Sequence, residues 1–253
     1  MDDCRLLEAA QHRVLAAALP EAPHTVQSIH MLRRGLCRAY VAGDPASFDS
    51  AILQPIDWPE EPTGFGSNPE LLWKLLQLVE GWACILVDSE CASPLGEIIQ
   101  NERGTQVRYL EDVSHVLTRP AKVYRENRVR RLTLADLNLL ESTPLELRSG
   151  LWHNPRELLT EGIMTCGVIS GEIVATALVT ACTDTYAEIG VFTREDHRGR
   201  GYATASASLV AQALQERGSI PMWGAGLHNA ASLRVAQKLG FKEVSRRVYV
   251  ILT

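Results

Sequence analysis

The stretch YAEIGVFTREDHRGRGYATA, residues 186–205, runs a β-branched and aromatic segment into an alanine-rich one through a turn built on Gly199 and Gly201. β-branched and aromatic side chains suit a pleated strand and alanine suits a helix, so the stretch reads as strand, turn, helix. That junction places the chain in the α/β (α+β) class. The turn is also basic. Arg194, His197, Arg198 and Arg200 stand out in a chain of formal net charge −5. Three uses suit such a turn: a phosphate cradle, a nucleic-acid patch or an ordinary solvated loop.

The physical case for a cradle is local. Glycines let a ligand approach the main chain closely. The first turn of a helix leaves N–H groups without intrahelical partners, and these attract anions along with the helix dipole. Arginine adds forked donors. The turn lacks the Gly-Lys-Ser/Thr ending of a P-loop. It also lacks the third glycine of a dinucleotide fingerprint, where Thr204 stands, and it lies late in the chain.

The surrounding elements have a readable order. A strand at Arg128–Leu132 precedes Thr133-x-x-Asp136, a capping box that opens the helix LADLNLLES. Pro155 starts a short helix. Strands at Met164–Ile169 and Ile173–Ala181 flank the turn signal Ser170-Gly171, and a third strand runs from Tyr186 to Thr193. A long helix follows from Ala203 to about Arg217, then a strand over 220–226. A helix over Asn229–Leu239 stops at Gly240, and the strand VYVIL comes last. The second half therefore reads β-α-α-β-β-β-α-β-α-β. The first half carries helices over 3–19 and 25–39, a strand at Ser50–Gln54, a helix opened by Asn68-Pro69, and a buried strand over 82–88. Residues 92–117 suit helix and strand equally. The boundary is expected near residue 122.

Two blocks carry a family resemblance. Arg198, Gly201 and Ala203 spell Arg-x-x-Gly-x-Ala, and HNAASLRVAQKLGF follows at 228–241. Together they resemble the GCN5-related N-acetyltransferases (GNAT), and most of all the subfamily typified by the zwittermicin A resistance acetyltransferase. The resemblance implies a GNAT fold, a mixed and mostly antiparallel sheet flanked by helices, over 123–253. Residues 1–122 would form an N-terminal accessory α/β lobe, itself a degenerate GNAT-like lobe by its strand-helix-strand run. The implied cofactor is acetyl-CoA. Its pyrophosphate would meet the backbone of Arg198, Gly199, Arg200, Gly201, Tyr202 and Ala203, with Thr204 beside them. Its pantetheine would lie in the gap after Thr193, along Val191, Phe192 and Thr193, with Asn229 and Ser232 in contact from the next helix.

The resemblance implies acetyl transfer to a primary amine of a small molecule. An ammonium has no lone pair, so a base is needed, and Glu188 stands on the strand before the cradle. The superfamily often places an acidic tyrosine four residues before the glycine that stands here as Gly240; this chain has Ala236. Ser232, Tyr249, His228 and a water are the candidate replacements. No cysteine falls in either block, so no covalent acetyl-enzyme is expected. A peptide N-terminus as acceptor, another acyl-CoA as donor, and a non-catalytic CoA sensor are the rival readings.

Composition removes other classes. The acidic total argues against nucleic acid as a partner. Six cysteines without a Cys-x-x-Cys pair point to no metal site and to a reducing, cytoplasmic setting. No apolar run is long enough for a membrane span. A homodimer is compatible with the chain. Arg128, Arg130 and Arg131 read as a solvated strand face. Trp58, Trp73, Trp82, Trp152 and Trp223 read first as packing residues, with Trp152-His153 near the acceptor-shaping stretch 142–160.

Overall fold

The computed structural model describes residues 4–148 and 150–253. Asp3, at the start of the expected 3–19 helix, and Ser149, inside the 142–160 stretch, lie outside the described residues. The chain forms two compact units. One runs through Val113 and adds 226–228 and 245–253; the other holds 114–225 and 229–244. The division is therefore not the single cut at 122 that the sequence suggested, because most of the last strand belongs with the first unit.

The first unit contains β1 (Cys4–Leu6), α1 (His12–Ala18), α2 (Val26–Arg34), β2 (Cys37–Ala42), β3 (Ser50–Pro55), β4 (Thr63–Phe65), α3 (Pro69–Leu76), β5 (Cys84–Asp88), α4 (Ser89–Arg103) and, through Val113, most of β6 (Val107–Val116). The expected helix over 3–19 starts instead as a strand, since Cys4–Leu6 pairs antiparallel with Tyr40–Ala42. The expected helix over 25–39 stops early. Gly35, at φ 67°, closes α2 in the left-handed conformation and releases the chain into β2. Gly104, at φ 64°, likewise divides the ambiguous 92–117 stretch into α4 and β6. Strands β1 to β4 pair antiparallel in sequence order, and β4 meets β5 in parallel at Thr63↔Leu86. Leu72, Leu75, Leu76, Ile85, Leu95 and Ile99 form the centre of this core.

The second unit contains β7 (Val129–Arg131), α5 (Leu137–Glu141), α6 (Pro155–Thr160), β8 (Met164–Ile169), β9 (Glu172–Cys182), β10 (Tyr186–Thr193), α7 (Tyr202–Glu216), β11 (Ile220–Gly226) and α8 (Ala230–Leu239). Strands β7 to β10 pair antiparallel in sequence order, and β10 meets β11 in parallel. The sheet is thus mixed and mostly antiparallel, with helices against it. The last strand, β12 (Lys242–Leu252), pairs antiparallel with β5 in the first unit through Arg247–Ile251.

Two local features place the site. The parallel ladder of β10 and β11 covers only Tyr186–Glu188 and Ile220–Met222, so β10 runs on to Thr193 with no recorded β11 partner. The antiparallel ladder of β9 and β10 shifts register at Glu188/Ile189: Glu188 faces Ala181 and Ile189 faces Val179. Thr180 is the extra residue of that bulge, and a bulge re-aims side chains. The connector before α6 is fastened to it. Leu151 N–H donates to the Thr180 carbonyl at 2.9 Å and Trp152 Nε1 to the Val179 carbonyl at 2.7 Å.

Arg128, just before β7, and Arg130 within it are not simply solvated. Arg128 Nη1 donates to the Tyr202 hydroxyl at 3.0 Å, and Arg130 grips Asp136 with both Nη atoms, at 2.6 and 3.0 Å. The Arg130 guanidinium holds the Asp136 carboxyl down to about 2.

Candidate functional site

A groove of about 690 Å³ opens beside the end of β10, within the range of small-ligand sites. Its walls come from three places. Val191, Phe192 and Thr193 supply the free end of β10. His197 to Thr204, without Arg200, supply the turn and the start of α7. Asn229, Ser232, Arg234, Val235 and Lys238 supply one face of α8.

The turn is built as its sequence suggested. Gly199 and Gly201 have φ of 75° and 87°, in the left-handed region that favours glycine. A Cβ on either would meet nothing within 4 Å, so the main chain is open to a ligand on that side. Gly201 forms the N-cap of α7, and no side chain caps this helix. The N-terminal N–H groups are therefore left to an anion. Tyr202 anchors the helix: it is buried against Val174 and Ala175 while its hydroxyl takes the Arg128 bond.

Of the twelve residues expected to hold a cofactor, Arg200 is the exception. It does not line the groove, and its Nη2 donates to the Asp196 carbonyl at 3.1 Å. Arg198 does line it, with Nε on the Thr193 carbonyl at 3.2 Å. His197, read in sequence as a loop residue, also lines it, as do Arg234 and Lys238. Three cations of fixed charge sit along one groove of an acidic chain.

Two polar atoms test whether the groove suits a CoA-like group. Thr193 Oγ1 and His197 Nδ1 are buried from solvent and have no hydrogen-bond partner. Both residues line the groove, and buried polar atoms are almost always paired in a completed site. With the open glycines and uncapped α7, they fit a ligand carrying both anionic and amide groups.

Glu188 lies one register step from the opening of the strands, opposite Met222. It is 6% exposed and does not line the groove. Thr180 Oγ1 donates to Glu188 Oε2 at 2.7 Å. A Cβ on Gly224 would come within 2.8 Å of Glu188 Oε1, and one on Gly190 within 2.5 Å of Thr180 Cγ2. Two glycines thus make room for the carboxylate and for the threonine that holds it. Sequence reasoning did not find Thr180.

The remaining candidates are dispersed. Ser232 lines the groove, and its Oγ accepts from Trp223 Nε1 at 2.9 Å. Tyr249 lies on β12 in the first unit, in register with Leu86, and His228 is exposed in that same unit. Ala236 is fully buried. Cys166, on β8, is fully buried, and burial pushes its thiol up to about 11, so it is no ready nucleophile. Among the described residues no cluster of His, Cys, Asp and Glu could hold a metal ion, and no helix is long and apolar enough to cross a membrane.

A second hollow of about 760 Å³ shares Phe192 and Arg198 with the groove. Ser142–Pro144, Glu146-Leu147, the Gly171-Glu172 turn and Arg194–Asp196 contribute to its walls. Arg194 is paired there with Glu172 at 3.0 Å and with Asp196 at 3.4 Å.

Comparison with known proteins identifies the family and the fold. A Bacillus subtilis (strain 168) protein described as the uncharacterized N-acetyltransferase YdfB is 34% identical over 99 residues, 37% of this chain. The match spans only about 36% of that relative's length. A GCN5-related N-acetyltransferase-like protein from Streptococcus suis 89/1591 superposes with a TM-score of 0.70 at 21% identity, covering 97% of this chain and 99% of that one. A tandem GNAT protein from the clavulanic acid biosynthesis pathway gives 0.60 at 13% identity, covering 99% and 98%. At these identities the two structures speak for the fold. The sequence pattern of the GNAT acetyltransferases matches residues 98–250, more than half of the chain, and the chain belongs to that family.

Proposed function

We propose that the protein is an acetyl-CoA-dependent N-acetyltransferase that acetylates a primary amine of a small molecule. The observation that carries this is the groove at the end of β10, where an uncapped helix start, two open glycines and two orphaned polar atoms converge. Acetyl-CoA would supply the acetyl group as a thioester. The N–H groups at the start of α7 and the Arg198 side chain would hold its pyrophosphate. The unpaired edge of β10 at Val191–Thr193 would hold its pantetheine, and Asn229 and Ser232 would contact it from α8. The two sequence blocks favour the zwittermicin A resistance-type branch.

Glu188 would hold the proton that the attacking amine gives up. Its burial and its absence from the groove lining favour transfer through a water, with Thr180 fixing the carboxylate. The acceptor would enter by the second hollow, where Glu146, Glu172, Glu195 and Asp196 outnumber Arg194 and Arg198. That balance favours a cationic amine over an acidic one. The cytoplasm suits six free cysteines.

Along the chain, β1 to β6 and β7 to β12 run in the same element order, strand, two helices, three strands, helix, strand, helix, strand. This supports a degenerate GNAT-like lobe. Its own groove would be closed. Asn68 caps α3 by accepting from Glu70 N–H and Leu71 N–H, and Pro69 has no N–H to offer. Gly64 of β4 is enclosed by Ile85, Leu72 and Val87, and buried Arg247 donates to its carbonyl.

Titrating the protein with acetyl-CoA by calorimetry, and following thiol release with a panel of amines, tests the reading. Saturable binding with amine-dependent release supports it. A CoA sensor, favoured by the buried Ala236 at the usual acid position, would bind acetyl-CoA without release for any amine.

A further inference from the structure

We infer that the Ser232 hydroxyl donates a hydrogen bond to the sulfur that leaves during acetyl transfer, and that Trp223 is the residue that positions it to do so. The inference rests on the proposed function and concerns the part of it that the family pattern leaves open, since Ala236 is fully buried and carries no acid.

The argument starts from one hydrogen bond. Trp223 lies on β11, is 1% exposed, and has an indole N–H that can only donate. Its partner is Ser232 Oγ at 2.9 Å. A hydroxyl has one hydrogen and two lone pairs. With a lone pair taken by the indole, the hydroxyl turns its hydrogen away from Trp223. Among the described residues that hydrogen has no acceptor, while Ser232 lines the groove. The backbone is also fixed: Ser232 N–H donates to Asn229 Oδ1 at 3.1 Å, the cap that opens α8. Trp223 is held by Phe241, whose ring meets it edge-on at 5.6 Å between centroids.

Helix geometry places this donor where it is needed. Residues four apart share a helix face, so Ser232 stands one turn before Ala236 on α8. The indole bond polarises the hydroxyl, and a donor beside a forming anion strengthens as charge develops. The bookkeeping is simple. The amine nitrogen's lone pair forms the C–N bond, the C–S bond breaks, and its electron pair stays on sulfur. The amine's proton goes to Glu188 through water. Ser232 keeps its hydrogen and shares it with the thiolate, which takes a proton from solvent after release.

The test compares ligands that differ at the sulfur. CoA has an ionisable sulfur whose thiolate fraction rises from pH 7 to pH 9, whereas acetyl-CoA has none. Ser232→Ala and Trp223→Phe should each weaken CoA about tenfold at pH 9 and leave acetyl-CoA unchanged. Both should lower kcat with little change in KM for acetyl-CoA, and Ser232→Thr should restore both readouts. Equal weakening of the two ligands by Trp223→Phe would show a structural role and overturn the inference, as would an unchanged ratio in Ser232→Ala. Glu188→Gln should leave the ratio unaltered, which separates this donor from the base. If the unsubstituted protein bound neither ligand, the proposed function would fall along with it.

Discussion

Thr180 Oγ1 donates to Glu188 Oε2 at 2.7 Å from the extra residue of the β9 bulge. The bond exists because the register shift turns Thr180 toward its cross-strand neighbour. In regular pairing Thr180 would stand in the ladder. Glu188→Gln keeps the shape and removes the base, so kcat should fall roughly 10²- to 10⁴-fold with acetyl-CoA affinity preserved. Thr180→Val keeps the shape of the anchor and removes only its hydroxyl. A hydrogen bond to a charged group contributes about 1.5–3 kcal/mol, so kcat should fall about tenfold or more. Steady-state rates beside calorimetric affinities check both. Full activity in Glu188→Gln would remove the base assignment.

Gly224 offers an independent check on the same carboxylate. A methyl at this position would sit 2.8 Å from Glu188 Oε1, closer than real Cβ contacts come. Gly224→Ala should therefore displace the carboxylate and lower kcat nearly as far as Glu188→Gln. The groove lining excludes Gly224, so the acetyl-CoA dissociation constant should stay within about threefold. A fully active Gly224→Ala protein would count against a fixed Glu188.

These contacts show which parts of the site were legible in the sequence. The turn, its glycines and the Asn229–Phe241 block are local, so their residue types announce them. Glu188 was legible as a carboxylate on the right strand. Its holder was not, because Thr180 acts only through a register shift between two strands. The Arg128–Tyr202 bond joins residues 74 apart, and the sequence reading of Arg128 as solvated could not anticipate it. The assignment of Ser245–Thr253 to the first unit was invisible for the same reason: strand order is a long-range property. Helix limits failed in a more ordinary way. Gly35 and Gly104 were visible stop signals, and reading past Gly35 made α2 too long.

The groove itself can be disabled at Gly201. This residue has φ 87°, and a β-branched side chain there would cost about 1–3 kcal/mol in strain while its methyls fill the open side. Gly201→Val should lower the melting temperature of the free protein by a few degrees and abolish the further rise given by acetyl-CoA. Gly218, at φ 82° beyond the end of α7, has equally open surroundings and lies outside the groove lining. Gly218→Val should be destabilised to a similar degree and keep the acetyl-CoA response. Thermal scans with and without ligand distinguish the two.

One acetyl-CoA should bind per chain. The first unit has the element order but not the openings: α3 is capped by Asn68, and the Gly64 carbonyl is engaged by Arg247. Calorimetry should return a stoichiometry near one, and Gly201→Val should abolish all binding. A stoichiometry of two, or binding that survives in Gly201→Val, would mean that the first unit holds a cofactor after all.

Asp136 links stability to pH. Its carboxyl is held at about 2 rather than 3.8, first by the hydrogen bonds from Arg130. A depressed acid stabilises the fold where it is ionised in both states, so its contribution is complete above about pH 4. That contribution is lost as pH falls from 3.8 toward 2, where the unfolded chain takes up the proton first. The Arg130 side chain is 48% exposed and the Asp136 side chain 16%, so solvent screens the pair. Asp136→Asn should then cost about 1 kcal/mol at pH 7 rather than the full value of the shift. The cost should be unchanged at pH 5 and shrink below pH 4. Denaturant unfolding of both proteins across that range measures it. A difference that persisted undiminished at pH 2.5 would show that the stabilisation does not depend on the ionised carboxylate, whose pKa the Thr133 N–H at 2.9 Å lowers along with Arg130, and would overturn the prediction.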